Sequence, residues 1–442
     1  MGEYHIIGAG MAGLASAVRL ISKHGMNGAD IHLYEAAPQA GGRCRSFFDS
    51  HLDCEIDNGN HLLLSGNYCA AEYLETTGAS DQLMGPDRAA FPFMDLKTRK
   101  RWDIEFNPSP VPFWLFNKKA RVPDAGFFDH LSLLKLMRAN DSETLEHYVP
   151  RDNPLYERLI DPLSVAVINM TPETASAKLM RNVLLETTLK GGTACQPRIA
   201  RHSLAQTLVD PAVKYLTAQG VNIHMGVRLK SLGLEGQAVT MLHFTQNDIA
   251  ITDEDKIILA LPPAPATQMI DALNIPLDYS AIVNLHFRLD EEINVDWPAP
   301  IMGLIGGITQ WVFVRDDMAS VTISAGNDLL GMKAEELAAT VWGEIAALFD
   351  KDANTIPPNR VIKEKRATLA QTPALESHRP KPDAFFSNLF LAGDWTDTGL
   401  PATIEGAIRS GFTAAQIAHK CDVKTRRNTD RLQTKLDIGV RA

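Results

Sequence analysis

The sequence of 442 residues predicts an α/β fold, a Rossmann-like dinucleotide-binding domain with an inserted α+β substrate-binding domain. Two motifs at opposite ends of the chain predict the first domain: a G-x-G-x-x-G turn at Gly8–Gly13, and an apolar strand that runs into Gly393-Asp394. Length predicts the second domain, because a single core stops growing at about 250–300 residues. The two motifs must therefore meet in one sheet.

The first element is the apolar strand Tyr4–Ile7, which leads directly into the glycine turn. Gly8 allows the tight turn, Gly10 lets the backbone approach a pyrophosphate, and Gly13 lets the next helix pack against the strand. Phosphates then bind at the helix N-terminus, where N–H groups are free. The predicted ligands in this turn are Gly8, Gly10, Met11, Ala12 and Gly13.

A second strand, Asp30–Tyr34, ends in Glu35. Glu35 follows Gly13 by about 20 residues, which is the spacing of the acid that binds the ribose diol of a dinucleotide. A carboxylate there favours a free 2′-hydroxyl and repels a 2′-phosphate. The alternative is that Glu35 is a solvated residue at the end of a strand. That alternative does not explain why strand, glycine turn, helix, strand and acid follow one another at the spacing of a dinucleotide site.

Gly41-Gly42-Arg43 follows this strand, and Asp57–His61 forms a further polar turn that contains Gly59 and Asn60. The glycines let the chain run against a cofactor, and Arg43 can neutralise its pyrophosphate. This layout resembles the flavin amine oxidase and phytoene desaturase superfamily, in which the second turn approaches the isoalloxazine. The resemblance implies FAD as the cofactor, Gly41, Gly42, Arg43, Gly59 and Asn60 as ligands, and a fold of that type.

The other end of the cofactor site lies in residues 388–407. In the superfamily, the acid of the Gly-Asp pair holds the ribityl–pyrophosphate part of FAD. The helix that follows has small residues for close packing, and its N-terminus stabilises negative charge on the flavin pyrimidine. The ligands that the resemblance implies here are Gly393, Asp394, Ala402, Thr403 and Ile404, with the backbone near Leu229 at the adenine.

The pattern of glycines and helical periods divides the chain into two domains and a tail. Helical patterns at 129–140 and 182–190 and alternating strands at 281–287 and 310–314 belong to the inserted domain. The basic tail is predicted to be disordered and flexible, with attraction to anionic lipid as the alternative. The boundaries are 1–75, 191–269 and 385–420 for the FAD-binding domain, 76–190 and 270–384 for the substrate-binding domain, and 421–442 for the tail.

Residues Ile168–Ser176 (I-N-M-T-P-E-T-A-S) predict a loop and then a helix capped by Thr171 with Pro172 in its first position. The segment resembles one typical of the squalene-associated FAD-dependent desaturases, the hydroxysqualene dehydroxylases, with Met170 at a Thr-like position. Gly306–Trp311 is similar to the same family. The resemblance implies that reduced flavin supplies hydride to the allylic carbon that loses its hydroxyl, which forms squalene for hopanoid or triterpenoid synthesis.

This reaction needs a dry tunnel and a proton for the leaving hydroxyl. His61 is the candidate proton donor or polar anchor because its turn is expected near the flavin; a structural histidine is the alternative. Asp57 and Gln310 are further candidates, and Trp311 and Thr403 are expected to line the substrate site. The electron source is a reduced nicotinamide or another reductase.

Three other functions are alternatives for this sequence. A carotenoid-type desaturase acting on a phytoene-like polyene is excluded by no residue. An amine oxidase is disfavoured because Thr403, and not an aromatic residue, precedes Ile404–Ala407. A prenyl-binding escort protein would not be expected to retain Glu35, Arg43 and Gly393-Asp394 together.

Composition sets the remaining expectations. The net charge of −10 argues against nucleic acid as a partner, and the five cysteines contain no C-x-x-C pair, so neither a disulfide framework nor a metal site is expected. The glycine turn leaves no room for a signal peptide before it, so we expect a cytoplasmic protein. Val111–Phe116 is aromatic and apolar, and it predicts either core packing or peripheral contact with the inner face of the membrane.

Overall fold

The computed structural model describes residues 2–421, so the predicted basic tail lies outside the described residues except for Cys421. In this part of the chain there are twenty strands: β1 Tyr4–Ile7, β2 Ile31–Glu35, β3 Ser46–Asp49, β4 Cys54–Asp57, β5 Leu63–Leu64, β6 Leu83–Met84, β7 Ala89–Asp95, β8 Arg101–Phe106, β9 Pro197–Ala200, β10 Asn222–Met225, β11 Leu229–Glu235, β12 Ala238–Phe244, β13 Asp248–Ala250, β14 Lys256–Leu259, β15 Tyr279–Arg288, β16 Ile301–Ile305, β17 Trp311–Arg315, β18 Met318–Ile323, β19 Asn359–Leu369 and β20 Leu389–Leu391. The α-helices of the same residues are α1 Met11–Ser22, α2 Tyr68–Thr77, α3 Phe127–Ser132, α4 Leu145–Tyr148, α5 Asp161–Ile168, α6 Ala177–Glu186, α7 Asp210–Ala218, α8 Pro263–Met269, α9 Ala334–Ile345, α10 Pro373–Glu376 and α11 Ile404–Lys420.

A parallel five-stranded sheet in the order β10-β2-β1-β14-β20 forms the first layer. The first strand of the chain pairs with β2 on one side and β14 on the other, and β14 in turn pairs with β20. Strands buried on both faces are continuous apolar runs, and Ile257, Ile258 and Leu259 of β14 are fully buried. The sheet confirms the predicted α/β fold and brings the two ends of the chain together.

Helices α1 and α11 pack against each other on one face of this sheet. A Cβ atom added to Gly411 would lie 2.2 Å from the carbonyl oxygen of Ala12, so only glycine allows this approach. The hydroxyl of Ser16 donates to the carbonyl oxygens of Ala12 (2.8 Å) and Gly411 (3.1 Å). The small residues predicted to permit close packing therefore do so between the first and last helices of the described chain.

A seven-stranded sheet in the order β19-β15-β18-β17-β16-β7-β8 forms the second layer, with only β16 and β7 parallel among its pairs. One face packs against α9 in a cluster that includes Phe287 and Trp342. We call the opposite face the inner face; it carries Asn284, Thr322 and Trp311. Its polar part lies on β15 and β18, and its apolar part continues across β17, β16, β7 and β8.

The segment after α5 differs from the prediction. Thr171 caps no helix; its carbonyl oxygen accepts the N–H groups of Thr174 and Ala175 in a turn, and α6 begins at Ala177 with Ser176 as its cap. The physical reason is Asn169, whose left-handed conformation (φ 56°) redirects the chain at the end of α5. The helical pattern predicted at 129–140 is also only partly α-helical, since α3 continues as a 3₁₀ helix to residue 138.

Separate hydrophobic clusters lie on the two sheets. One cluster draws on residues 4–79, 200–221 and 390–418, and another on residue 94 with residues 283–348. The exact domain boundaries stay a prediction. Within residues 2–421, no helix combines the length and the apolar character that a membrane span requires.

Candidate active site

The turn between β1 and α1 gives each glycine a different environment. A Cβ atom on Gly13 would lie 1.8 Å from the carbonyl oxygen of Gly8, and one on Gly8 (φ 105°) would lie 2.5 Å from the carbonyl oxygen of Ala260. A Cβ on Gly10 would meet no atom of the described chain within 4 Å. The turn is therefore closed around Gly8 and Gly13, and free of protein atoms at Gly10.

Glu35 lies beside this turn at the end of β2. Its carboxylate accepts the N–H groups of Ala9 (Oε2, 2.8 Å) and Ala37 (Oε1, 2.8 Å), so backbone donors fix its position. Val227 donates to the carbonyl oxygen of Glu35 at 2.8 Å, and β11 begins two residues later at the buried Leu229. The predicted ribose ligand and the segment predicted to contact adenine are therefore adjacent.

The Gly41-Gly42 pair returns the chain to the first turn. Gly41 (φ 106°) donates its N–H to the carbonyl oxygen of Ala9 at 2.8 Å. A Cβ on Gly42 (φ 56°) would lie 3.4 Å from the Cα of Gly10. Both residues have positive φ angles that favour glycine, and the two glycine-containing turns touch each other.

Arg43 joins the two ends of the chain. Its Nη2 lies 2.7 Å from Oδ1 of Asp394, 351 positions away, and its Nη1 donates to the carbonyl oxygen of Ala367 at 2.5 Å. Burial by itself lowers the pKa of Arg43, but the Asp394 carboxylate outweighs it and the pKa is raised. The guanidinium suits a phosphate and the carboxylate suits the ribityl hydroxyls, and the two groups lie next to each other here.

The loop after Gly393 is held by Arg379, which the sequence analysis missed. Its Nη2 donates to the carbonyl oxygen of Asp394 (2.6 Å) and its Nη1 to that of Leu400 (2.7 Å). Glu376 pairs with the same guanidinium at 3.2 Å, and burial raises the pKa of Glu376 despite this partner. Arg379 therefore fixes the backbone on both sides of the predicted cofactor loop, a role that no motif marks in the sequence.

The N-terminus of α11 is fixed in the same way. Thr403 caps the helix, because its Oγ1 accepts a first-turn N–H at 3.1 Å. The N–H of Ala402 donates to Oε1 of Gln371 at 2.6 Å, and Nε2 of Gln371 donates to the carbonyl oxygen of Ile168 at 2.5 Å. Gln371 was also missed; it connects the predicted flavin-facing helix terminus to the segment that carries the dehydroxylase-like motif.

Asp57 is buried, and the chain itself engages its carboxylate. Oδ1 accepts the hydroxyl of Ser46 (2.6 Å) and the N–H of Leu204 (2.8 Å). Oδ2 lies 3.2 Å from both Nη atoms of Arg315. These contacts join three separate segments and favour a structural role for Asp57 over the predicted catalytic one.

The rest of the Asp57–His61 turn lies against the polar part of the inner face. A Cβ on Gly59 would lie 2.9 Å from Nδ2 of Asn284. Nδ2 of Asn60 donates to Oγ1 of Thr322 at 3.1 Å, and that hydroxyl donates to Asn284 at 2.9 Å. The turn predicted to approach the isoalloxazine therefore packs against the seven-stranded sheet.

His61 borders a narrow cavity with a mainly apolar lining. Burial lowers the pKa of His61 to about 4, while the nearby Asp57 opposes the shift and Arg43 adds to it. The imidazole is therefore neutral at pH 7, which favours a polar anchor over a proton donor. The residues around the cavity are His61, Leu63, Leu83, Arg198, Ala200, Leu204, Thr207, Leu208 and Ile404.

Gln310 pairs with the backbone of one residue. Its Nε2 donates to the carbonyl oxygen of Ser324 (3.0 Å), and its Oε1 accepts the N–H of Ser324 (2.7 Å). The side chain thus extends the pairing of β17 with β18, and its predicted catalytic role is untested. Trp311, the next residue, is buried on the inner face with its ring at 66° to that of Phe93.

The apolar part of the inner face forms what we call the aromatic wall: Phe93, Trp102, Ile104, Ile301 and Trp311. Residues 113–134 pack on it through the half-buried side chains of Trp114 and Leu133. The outer side of the same segment exposes large hydrophobic residues, including Phe116 (74 % exposed) and Phe128 (82 %). A continuous apolar layer therefore runs from the inner face to the surface.

These residues fit a bound dinucleotide. Met11 and Ala12 form the first turn of α1, where N–H groups have no intrahelical acceptor, directly beside the unfilled side of Gly10. Glu35 and the Arg43–Asp394 pair lie around the same turn. Among residues 2–421, no group of three or more His, Cys, Asp or Glu side chains could hold a metal ion.

The family model described as "Flavin containing amine oxidoreductase" matches residues 11–419. The chain belongs to this family. It is therefore a flavin oxidoreductase, and the family supports a flavin cofactor. Solved structures support the α/β fold. An oxidoreductase structure from Methanosarcina mazei aligns with a TM-score of 0.68 at 14% identity, and the alignment covers 94% of this chain and 100% of that one.

The curated relatives of this chain include proteins named hydroxysqualene dehydroxylase. The protein from Rhodopseudomonas palustris is 45% identical, covering 93% of this chain and 97% of the relative. The protein from Zymomonas mobilis is 41% identical, covering 95% and 99%. A probable zeta-carotene desaturase from Synechococcus elongatus is only 23% identical over a similar span, 93% and 97%.

Proposed function

We propose that this chain is an FAD-dependent hydroxysqualene dehydroxylase, which replaces the allylic hydroxyl of hydroxysqualene by hydrogen and so forms squalene for hopanoid or triterpenoid synthesis. The observation that carries the proposal is 41–45% identity over almost the whole chain to proteins of that name. The carotenoid-type desaturases share about half that identity. Reductive loss of the hydroxyl is accordingly preferred to desaturation of a polyene.

We assign the residues that would hold FAD from the geometry of the site. Glu35 binds the adenosine ribose, with the backbone near Leu229 at the adenine. The first turn of α1 and Arg43 bind the pyrophosphate, and Asp394 binds the ribityl end. Gly59, Asn60 and the Ala402–Ile404 terminus of α11 contact the isoalloxazine, and reduced FAD supplies a hydride when bound.

The chain's own part in the reaction is to bind a hydrocarbon, exclude water and hold one polar group. The aromatic wall supplies the apolar surface, and each buried CH₂ of a substrate contributes about 0.8 kcal/mol. Loss of the protonated hydroxyl as water leaves a delocalised allylic cation, which a dry site protects from attack by water. His61, neutral at pH 7, serves as a polar anchor at the cavity shared with Ile404.

The deciding experiment supplies the chain and FAD with hydroxysqualene and, separately, with phytoene. Squalene that forms only when a reductant is added supports the proposal. Reduced nicotinamide alone, or nicotinamide with a flavin reductase, identifies the electron source. New conjugated double bonds from phytoene without reductant would replace the proposal with the desaturase.

We also propose that the exposed side of residues 113–134 contacts the inner face of the membrane, where the substrate resides. Phe113, Phe116 and Phe128 are exposed beside Lys118 and Lys119, a combination that favours an anionic lipid surface. The apolar layer then leads hydroxysqualene from the membrane surface to the aromatic wall.

Sedimentation with anionic vesicles tests this surface. Replacing both Phe116 and Phe128 with glutamate should abolish vesicle binding while the protein keeps its flavin. Phe48, which is 65 % exposed on β3, is the matched control, and F48E should bind as the wild type does. Equal binding by the double variant and F48E would contradict the proposal.

A further inference from the structure

The indole of Trp311 carries a buried donor with no acceptor. Trp311 is 8 % exposed, and its Nε1 finds no hydrogen-bond partner among residues 2–421. A buried N–H without an acceptor costs about 1–3 kcal/mol. Native proteins keep few such groups, and those that persist call for an explanation, for example a bound water, a ligand or a catalytic role.

The surroundings of Trp311 fix the ring in place. Gln310 anchors the preceding residue to Ser324 through two hydrogen bonds, and Phe93 packs edge-on against the indole with ring centres 5.5 Å apart. Phe93, Ile104 and Ile301 of the aromatic wall have no polar side-chain atom, and Trp102 has one, its indole N–H. The N–H of Trp311 is therefore a fixed polar atom in a hydrocarbon environment.

Trp311 also lies next to the predicted flavin-facing turn. It is the cross-strand partner of Thr322, and Thr322 accepts the hydrogen bond from Asn60. Trp102 carries the second unpartnered indole N–H of the wall, but it lies on β8, the edge strand, three strands beyond β17. Of the two donors, Trp311 is the one near the turn.

We propose that the indole N–H of Trp311 binds the hydroxyl oxygen of the substrate and thereby makes the site select an allylic alcohol over the corresponding hydrocarbon. This inference rests on the proposed function. A long isoprenoid alcohol has one polar group, and a polar atom fixed in an apolar wall distinguishes it from its deoxygenated product. The indole N–H stays protonated, so Trp311 orients the C–O bond and transfers no proton.

Binding to the oxidised holoenzyme without reductant tests the inference, because no turnover occurs. Hydroxysqualene and squalene are titrated in detergent micelles, and the change in flavin absorbance is followed. Trp311→Phe keeps an aromatic ring and removes the N–H; we expect it to weaken hydroxysqualene binding about tenfold more than it weakens squalene binding, the scale of one hydrogen bond. Trp102→Phe is the matched control and should not change the ratio of the two affinities.

If the Phe variant does not fold, β-(3-benzothienyl)alanine at position 311 replaces N–H by sulfur in a ring of the same size. Equal losses for both ligands, or no loss for hydroxysqualene, overturn the inference while wild-type turnover leaves the proposed function intact. A wild-type chain that converts no hydroxysqualene to squalene overturns the proposed function, and this inference with it.

Discussion

Adding one methyl group at Gly10 or at Gly13 should have opposite consequences. In Gly10→Ala the new Cβ meets no protein atom within 4 Å, and the backbone there (φ −75°, ψ −178°) suits any residue. In Gly13→Ala the new Cβ lies 1.8 Å from the carbonyl oxygen of Gly8, where ordinary contact begins at 3.4 Å. The two variants therefore separate cofactor binding from folding.

The magnitudes follow from these distances. Alanine is a poorer N-cap than glycine, so we expect Gly10→Ala to lower apoprotein stability by less than about 1 kcal/mol. The methyl group would occupy space meant for the pyrophosphate, and overpacking of about 1–3 kcal/mol weakens FAD binding about 5- to 150-fold. Gly13→Ala gains about 1 kcal/mol of helix propensity, but its methyl group must displace the backbone of Gly8. That displacement costs more than about 3 kcal/mol, the upper end of the range for overpacking by side chains.

Thermal unfolding of the apoprotein and FAD titration provide the assay. Unfolding entropy of roughly 2.1 cal/mol/K per residue makes about 1 kcal/mol equal to 1 °C for a chain of this length. We expect G10A to unfold within about 1 °C of the wild type and to bind FAD weakly, and G13A to be poorly folded. Unchanged FAD affinity in G10A, or a stable G13A, would refute the assignment of the glycine roles.

Three further predictions concern buried polar groups. Asp57→Asn should lower the free energy of unfolding by about 3–5 kcal/mol, because Arg315 loses its buried charged partner. The variant should retain its activity per folded molecule. Lost activity in a stable variant would instead support a catalytic role for Asp57. Burial lowers the pKa of His5 and of His286 to about 4, below the ordinary 6.5 of an unfolded chain, so protons bind the unfolded state first as the pH falls. Stability should be complete above pH 6.5 and lower by about 2 kcal/mol per histidine at pH 5; a melting temperature independent of pH over this range would contradict this. Gln371→Leu should free the Ala402 N–H, weaken FAD binding about tenfold and shift the flavin absorbance. Gln310→Leu breaks a similar backbone pairing with Ser324 and should leave FAD affinity and flavin absorbance unchanged; equal flavin effects in both variants would contradict the link to α11.

Local patterns predicted the elements to which we assign cofactor binding. The glycine turn, the acid Glu35 and the Gly393-Asp394 loop each depend on residues close in sequence, and the parallel sheet brings them together as expected. The helix cap at Thr171 was wrong because Asn169, held by Ser280 and Thr368 from distant strands, sets where the chain turns. Tertiary contacts of this kind override local propensity.

The supporting residues could not be predicted for the same reason. Arg379 and Gln371 act through hydrogen bonds to backbone groups that are 15 or more residues away, and nothing in their neighbouring sequence marks such partners. Asp57 was predicted as a candidate because it is an acid in a turn near the flavin. Its engagement by Ser46, Leu204 and Arg315 depends on three segments that only the folded chain assembles.

The bridge between Arg43 and Asp394 has a consequence for synthesis of the protein. At roughly 5–20 residues per second, the ribosome needs on the order of 20–70 s to reach Asp394 after Arg43. During that interval the early strands have neither β20 nor α11, and the face of α1 that receives Gly411 is uncovered. We therefore expect nascent chains released before residue 411 to be retained by chaperones without flavin, and cofactor capture to be the closing event of folding.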